Sequence, residues 1–168
     1  SWVAVRLSNV YGPRQVSRGG SGVIPIFVES MAKGETPTIF GDGNKTRDYV
    51  HVSDVVSAVM MSVQKMQQTS LDEGFNIATG VETRDVDLYH GVARAMHEIG
   101  SDPDSSSMYK NSLKVPLQPN FAPVRPGEAL RSILDVTKAA AILGWRPKVD
   151  FYKGLKETVN TYFEYSDA

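Results

Sequence analysis

Short apolar segments of strand character alternate along this chain with longer segments of helical periodicity, and only mixed α and β architectures satisfy that order. Residues 2–7 (WVAVRL) read as a buried strand: short, rich in Val and ended by the turn-prone run Asn9–Val10–Tyr11–Gly12–Pro13. A Gly- and Ser-rich loop, residues 18–22, precedes a predicted helix in which Pro25 suits the first turn and Gly34 the end. Residues 38–40 and 48–52 read as short strands parted by the turn Gly41–Asp42–Gly43–Asn44. Ser53 is the expected cap of a helix whose Val55, Val56, Val59, Met60, Val63 and Met66 fall on one face. Residues 74–78 form a further strand, and Leu88, Tyr89, Val92, Met96 and Ile99 mark a helix closed by Gly100. Residues 101–131 hold five of the nine prolines and read as irregular. Asp135 is expected to cap a helix that ends at Leu143–Gly144, and a last helix spans about 151–164. The fold class is therefore α/β, or α+β within this chain. The strands are too few and too short for a free-standing doubly wound sheet, and Ser1 opens directly into an apolar run. The expectation is a part of a larger unit.

Composition removes several function classes. With 18 basic against 19 acidic side chains, the chain has no electrostatic footprint for nucleic acid or an anionic membrane. No apolar run approaches the roughly 20 residues that span a bilayer. The absence of cysteine excludes a disulfide scaffold, a thiolate metal site and a cysteine nucleophile. Neither a Gly-x-Gly-x-x-Gly opening a helix nor a Walker loop occurs. His90 and His97 lie two helical turns apart without a carboxylate in metal-ligand register, so they read as surface residues, and His51 as a packed strand residue. No catalytic residue and no metal ligand is assigned. Two motif matches read as chance. Asn44–Lys45–Thr46 fits a glycosylation sequon, and Tyr152-x-x-x-Lys156 fits a Tyr/Lys catalytic pair but falls in the last helix, after every strand.

What remains is a set of anion and polyol binders in loops. Arg47 follows a glycine turn at the mouth of a strand, and Arg125 sits in Pro123–Val124–Arg125–Pro126–Gly127–Glu128. Two such arginines can clamp a diphosphate, because guanidinium is planar, always charged and bidentate toward phosphate oxygens. Glu128 adds an acceptor-only carboxylate able to take two hydroxyl protons from a ribose.

Four motifs occur in order: Arg6–Leu7–Ser8–Asn9–Val10–Tyr11–Gly12–Pro13–Arg14–Gln15, the run Gly41 to Val55 (GDGNKTRDYVHVSDV), Arg125–Pro126–Gly127–Glu128, and Leu143–Gly144–Trp145–Arg146–Pro147. Together they resemble the C-terminal half of the NAD-dependent nucleotide-sugar epimerases and dehydratases, the extended short-chain dehydrogenases/reductases, nearest to the UDP-glucose 4-epimerases. That resemblance implies the end of a Rossmann-type domain in residues 1–15 and a small mixed substrate-binding region in 16–168, with some helices packing on the Rossmann part. It places Ser8 near the nicotinamide and Asn9 on the sugar nucleotide. It gives Val23 a backbone amide for the diphosphate, and Thr38, Ile39 and Phe40 backbone contacts to uracil. It assigns Arg47 and Arg125 to the phosphates, Glu128 to the ribose hydroxyls, and Ser132 to the space beside the sugar's C2 substituent. A serine there leaves room for an N-acetyl group.

The implied cofactor is NAD and the implied ligand a UDP-sugar, in a cytoplasmic enzyme that dimerises with itself and binds neither nucleic acid nor membrane. The family's Gly-rich loop and catalytic Ser/Thr, Tyr and Lys precede the strand that begins here. This chain alone is therefore expected neither to bind NAD nor to turn over without the N-terminal Rossmann half. Two other readings stay open: a dehydratase or reductase of the same superfamily, against which the Glu after Gly127 argues, and a non-catalytic nucleotide-binding module.

Overall fold

A computed structural model describes residues 1–17 and 22–165. Positions 18–21 of the expected Gly/Ser loop lie outside the described residues. Strands β1 (Trp2–Leu7) and β2 (Asn9–Tyr11) are followed by helix α1 (Val23–Ala32), strands β3 (Thr38–Phe40), β4 (Thr46–Arg47) and β5 (Tyr49–His51), and helix α2 (Val52–Gln68). Strands β6 (Asp72–Ile77) and β7 (Thr83–Arg84) lead into helices α3 (Asp85–Gly100) and α4 (Ser107–Ser112). Strands β8 (Asn120–Ala122) and β9 (Arg131–Ser132) precede helices α5 (Thr137–Leu143), α6 (Phe151–Asn160) and α7 (Tyr162–Tyr165).

Three strand pairs are parallel: β1 with β6, β2 with β5, and β3 with β8. In the remaining sheet β4 lies between β7, antiparallel to it, and β9, parallel. Side chains along a strand alternate between faces, and the β2–β5 ribbon uses this to join two cores. Tyr11 and Tyr49 enter a core built on α1, α3 and α6, where Phe27, Val28, Met31, Leu88, Tyr89 and Met96 are buried. Val10 and Val50 enter a second, with Phe75, Ile77, Ala139 and Trp145. Trp145 ties the chain after α5 to the start of α2: its Nε1–H donates to the Asp54 carbonyl at 3.1 Å and to Ser57 Oγ at 2.9 Å. The Asp54 carboxylate in turn accepts the backbone N–H groups of Lys148 and Val149, both at 3.0 Å. The sequence motifs 41–55 and 143–147, with the two residues that follow the second, thus meet as one polar latch.

Several local expectations are corrected. The cap of α2 is His51, whose Nδ1 accepts the Ser53 N–H at 3.3 Å, so Ser53 lies inside the first turn. The apolar stripe of α2 is split. Val55 and Met66 pack in the second core, whereas Val56, Val59, Met60 and Val63 are exposed and Asp54, Ala58 and Ser62 are buried instead. Gly100 is the last residue of α3 and Ser101 its cap. Gly100 is required by packing, since a Cβ there would lie 2.4 Å from the Tyr109 carbonyl oxygen. Residues 101–131 are not irregular throughout: they contain α4 and β8, and β9 begins at Arg131. The last helix is interrupted after Asn160. Gly144 does end α5 in the left-handed region, at φ 70°.

Candidate functional site

One cavity of about 310 Å³ opens between β2, the start of α1, β3, β4 and the loop after β8. Asn9 reaches it from the first position of β2, fixed there by its N–H donating to the Asp48 carbonyl at 2.9 Å. Val23 is the first residue of α1, and Gly22 ahead of it supplies no side-chain cap. The amides of that first turn are accordingly open to an anion. Thr38, Ile39 and Phe40 bring β3 to the wall, held by parallel pairing to β8.

Arg47 enters from β4 with Nη1–H donating to the Thr46 carbonyl at 2.8 Å. Its neighbour Asp48 points the other way, 1% exposed, and accepts Thr79 N–H at 2.8 Å, Thr79 Oγ1–H at 2.7 Å and Gly80 N–H at 2.9 Å. Adjacent residues of one extended segment thus serve opposite tasks: Arg47 faces the cavity and Asp48 secures the turn behind it. Arg125 stacks its guanidinium on the Phe40 ring at 3.7 Å, and Glu128 closes the same wall. Eight of the nine substrate-binding residues expected from sequence therefore line one cavity. The ninth, Ser132, does not. It is exposed on β9, paired in register with Arg47. Ser8 lies outside the cavity as well, at the end of β1, with its hydroxyl oxygen buried and without a hydrogen-bond partner among the described residues.

Six lining residues were not anticipated: Gly22, Ile26 and Phe27, and the polar Lys45, Tyr49 and Asp85. Lys45 is 7% exposed; its ammonium donates to Glu128 Oε2 and lies 3.6 Å from Asp85 Oδ2. That hydrogen bond is the main reason the Glu128 carboxyl sits below the usual carboxylate range. Asp85 is pushed up by burial, against the pull of Lys45 and Arg47. The cavity thus holds three cations, Lys45, Arg47 and Arg125, against two carboxylates. A sequence signal for Lys45 was present: it stands two residues before Arg47, the spacing that puts side chains on one side of an extended strand.

Of the discounted motifs, Asn44–Lys45–Thr46 brings Lys45 to this cavity as a cation, whereas the Tyr152/Lys156 pair stays apart from it. Lys156 is bound to Glu98 Oε2 at 2.8 Å, and Arg94 covers the Tyr152 ring at 4.4 Å. Burial and the Glu98 carboxylate push the Tyr152 phenol up, opposite to what a catalytic phenolate needs. His97 Nε2 lies 2.7 Å from the Ser112 carbonyl oxygen, and no metal-binding cluster occurs among the described residues. No helix among them is long and apolar enough to cross a membrane.

The profile of the family described as GDP-mannose 4,6 dehydratase matches residues 1–158. UDP-glucose 4-epimerase of Mycolicibacterium smegmatis is 40% identical over 155 residues, which are 92% of this chain and 43% of that protein. The crystal structure of the Thermotoga maritima UDP-glucose 4-epimerase with UDP-glucose superposes with a TM-score of 0.77 at 39% identity, covering 96% of this chain and 46% of that one. The Thermus thermophilus UDP-glucose 4-epimerase, solved as a complex with NAD, superposes at a TM-score of 0.72 and 34% identity, covering 96% and 46%. The chain spans less than half the length of these relatives. With the profile match running nearly end to end, the chain belongs to the GDP-mannose 4,6 dehydratase family, and its motifs are those of the C-terminal half of the extended short-chain dehydrogenases/reductases.

Proposed function

We propose that this chain provides the sugar-nucleotide site of a UDP-sugar 4-epimerase that interconverts UDP-glucose and UDP-galactose. The observation that carries the reading is the convergence of Arg47, Arg125, Glu128 and the uncapped start of α1 in one cavity. In this reading the two guanidinium groups and the Val23 amide hold the diphosphate, whose charge the cation excess in the cavity favours. The backbone of Thr38, Ile39 and Phe40 meets the uracil, Glu128 accepts the ribose hydroxyl protons, and Asn9 contacts the sugar nucleotide. Ser132 lies outside the cavity but beside Arg47 in register, and its small side chain leaves room for the C2 substituent, so that an N-acetylhexosamine is accepted as well as a hexose.

NAD, when bound, supplies the transient hydride acceptor that inversion at C4 requires. The orphaned Ser8 hydroxyl is the group this chain offers it. The chain's own work is binding and orientation: it presents fixed donors to the phosphates and one carboxylate to the diol, so that binding energy far from the reacting carbon positions it. The assembled enzyme pairs with a second copy of itself.

Titration of the full chain with UDP, dTDP and NAD separately tests this. UDP binding that falls at least about 100-fold in Arg47→Ala/Arg125→Ala, from two lost charge-assisted contacts, supports the reading. Absence of UDP binding, or binding that the double variant leaves intact, overturns it.

A further inference from the structure

Lys45 is buried to a degree unusual for an ammonium, 7% exposed, and burial of a charge is costly unless it is paired. Its two partners, Glu128 and Asp85, line the same cavity that it does. Its main chain is fixed independently, since the Lys45 carbonyl accepts Asp85 N–H at 2.9 Å and the Gly43 carbonyl accepts Val86 N–H at 3.1 Å. The loop that carries Glu128 is held at its end, where the Leu130 carbonyl accepts Thr46 N–H at 3.0 Å, and has little of its own to hold it before that. Val124 is 54% and Leu130 71% exposed, and the Glu128 N–H makes only a long 3.4 Å bond to the Arg125 carbonyl. Arg125 is held by Phe40, and Glu128 by Lys45. The ammonium engages Oε2, while Oε1 accepts no hydrogen bond among the described residues.

We infer that Lys45 is a positioning residue of the nucleotide site: anchored from behind by Asp85, it fixes one oxygen of Glu128 and leaves the other to take a ribose hydroxyl. The inference rests on the proposed reading of the cavity as a UDP site. It makes the ordering of the 125–128 loop part of the binding site before ligand arrives, and ordering in advance lowers the cost of binding. It also gives Lys45 a selective effect. Its charge acts on the diphosphate of any nucleotide alike, whereas its hold on Glu128 matters only where the ribose presents the hydroxyl that Glu128 accepts.

The test compares UDP with 2′-deoxy-UDP in calorimetric titrations of the full chain. In Lys45→Met the preference for UDP over 2′-deoxy-UDP should fall about 10-fold, the scale of one hydrogen bond to a charged group. Glu128→Gln should collapse the same preference, and combining the two should lower it no further, as for residues acting in one unit. Lys45→Met/Asp85→Asn removes the carboxylate left uncompensated by the first change, and it should show the same collapse with an unaltered melting curve. Equal losses for both nucleotides in Lys45→Met, or an unchanged preference, overturn the role of Lys45 while leaving the UDP site standing. If wild-type protein binds no UDP, or binds it independently of Arg47 and Arg125, the site reading itself falls.

Discussion

Asp48 shows how much a single side chain can organise next to a residue of the cavity wall. Its two carboxylate oxygens accept three donors from Thr79 and Gly80, and only 1% of the residue meets solvent. Removing the carboxylate takes the partner from three donors of a partly buried turn, and each donor left unpaired costs about 1–3 kcal/mol, less where water can reach it. Asp48→Ala is therefore expected to destabilise the protein by about 3 kcal/mol, seen as a lower urea midpoint at unchanged slope. Asp48→Asn keeps the shape and should lose about half as much. A midpoint for Asp48→Ala equal to wild type would show that the 79–80 turn does not depend on it. The Arg47–Asp48 pair was legible in sequence as a motif. The division of labour within it was not, because which face is buried is decided by β2 and β7, which lie far along the chain.

At the scale of elements, α3 and α6 are fastened by a charged cluster. Glu98 accepts from Lys156 at 2.8 Å and from Arg94 at 2.9 Å, and these bonds hold its carboxyl down to about 2 from an ordinary value near 4.5. The folded state therefore resists protonating Glu98 more than the unfolded chain does. The contribution is complete above about pH 4.5 and disappears as the pH falls toward 2. Glu98→Gln should flatten the pH dependence of the urea midpoint between those limits, and added salt should shrink the wild-type slope, since the cluster faces solvent. Identical slopes for wild type and Glu98→Gln would remove this cluster from the account.

Helix positions of this kind were readable from periodicity. The strands β8 and β9 were not, because two or three residues carry no pattern and their partners, β3 and β4, sit some eighty residues away. The face of α2 misled for another reason. The stripe Val56, Val59, Met60 and Val63 has the spacing of a core face, yet Ala58 and Ser62 pack inward because small side chains let the helix approach its neighbours.

For the whole molecule the decisive feature is that two cores share one ribbon. Val50 is fully buried in the second core, while its neighbour Tyr49 is 5% exposed in the first. The Tyr11 hydroxyl, on the strand paired with it, donates to the Phe151 carbonyl at 3.2 Å and so reaches α6. The cavity hangs from this ribbon, since Asn9 starts β2 and Arg47 lies two residues before β5 begins. Neither core can open without releasing the strand pair on which the other is built, so the cores should unfold together rather than in sequence. Trp145 reports on the second core at 1% exposure, and far-ultraviolet dichroism weighs the helices of both cores, most of their residues in α1, α3 and α6 of the first. Their urea transitions should coincide in wild type. In Val50→Ala, which removes two buried methyl groups and leaves a cavity, both should move together by about 2 kcal/mol. The proposed nucleotide binding should weaken in parallel as urea approaches the shared midpoint. A Trp145 transition that shifts alone would mean that the ribbon does not couple the cores, and that the cavity depends on the first core only.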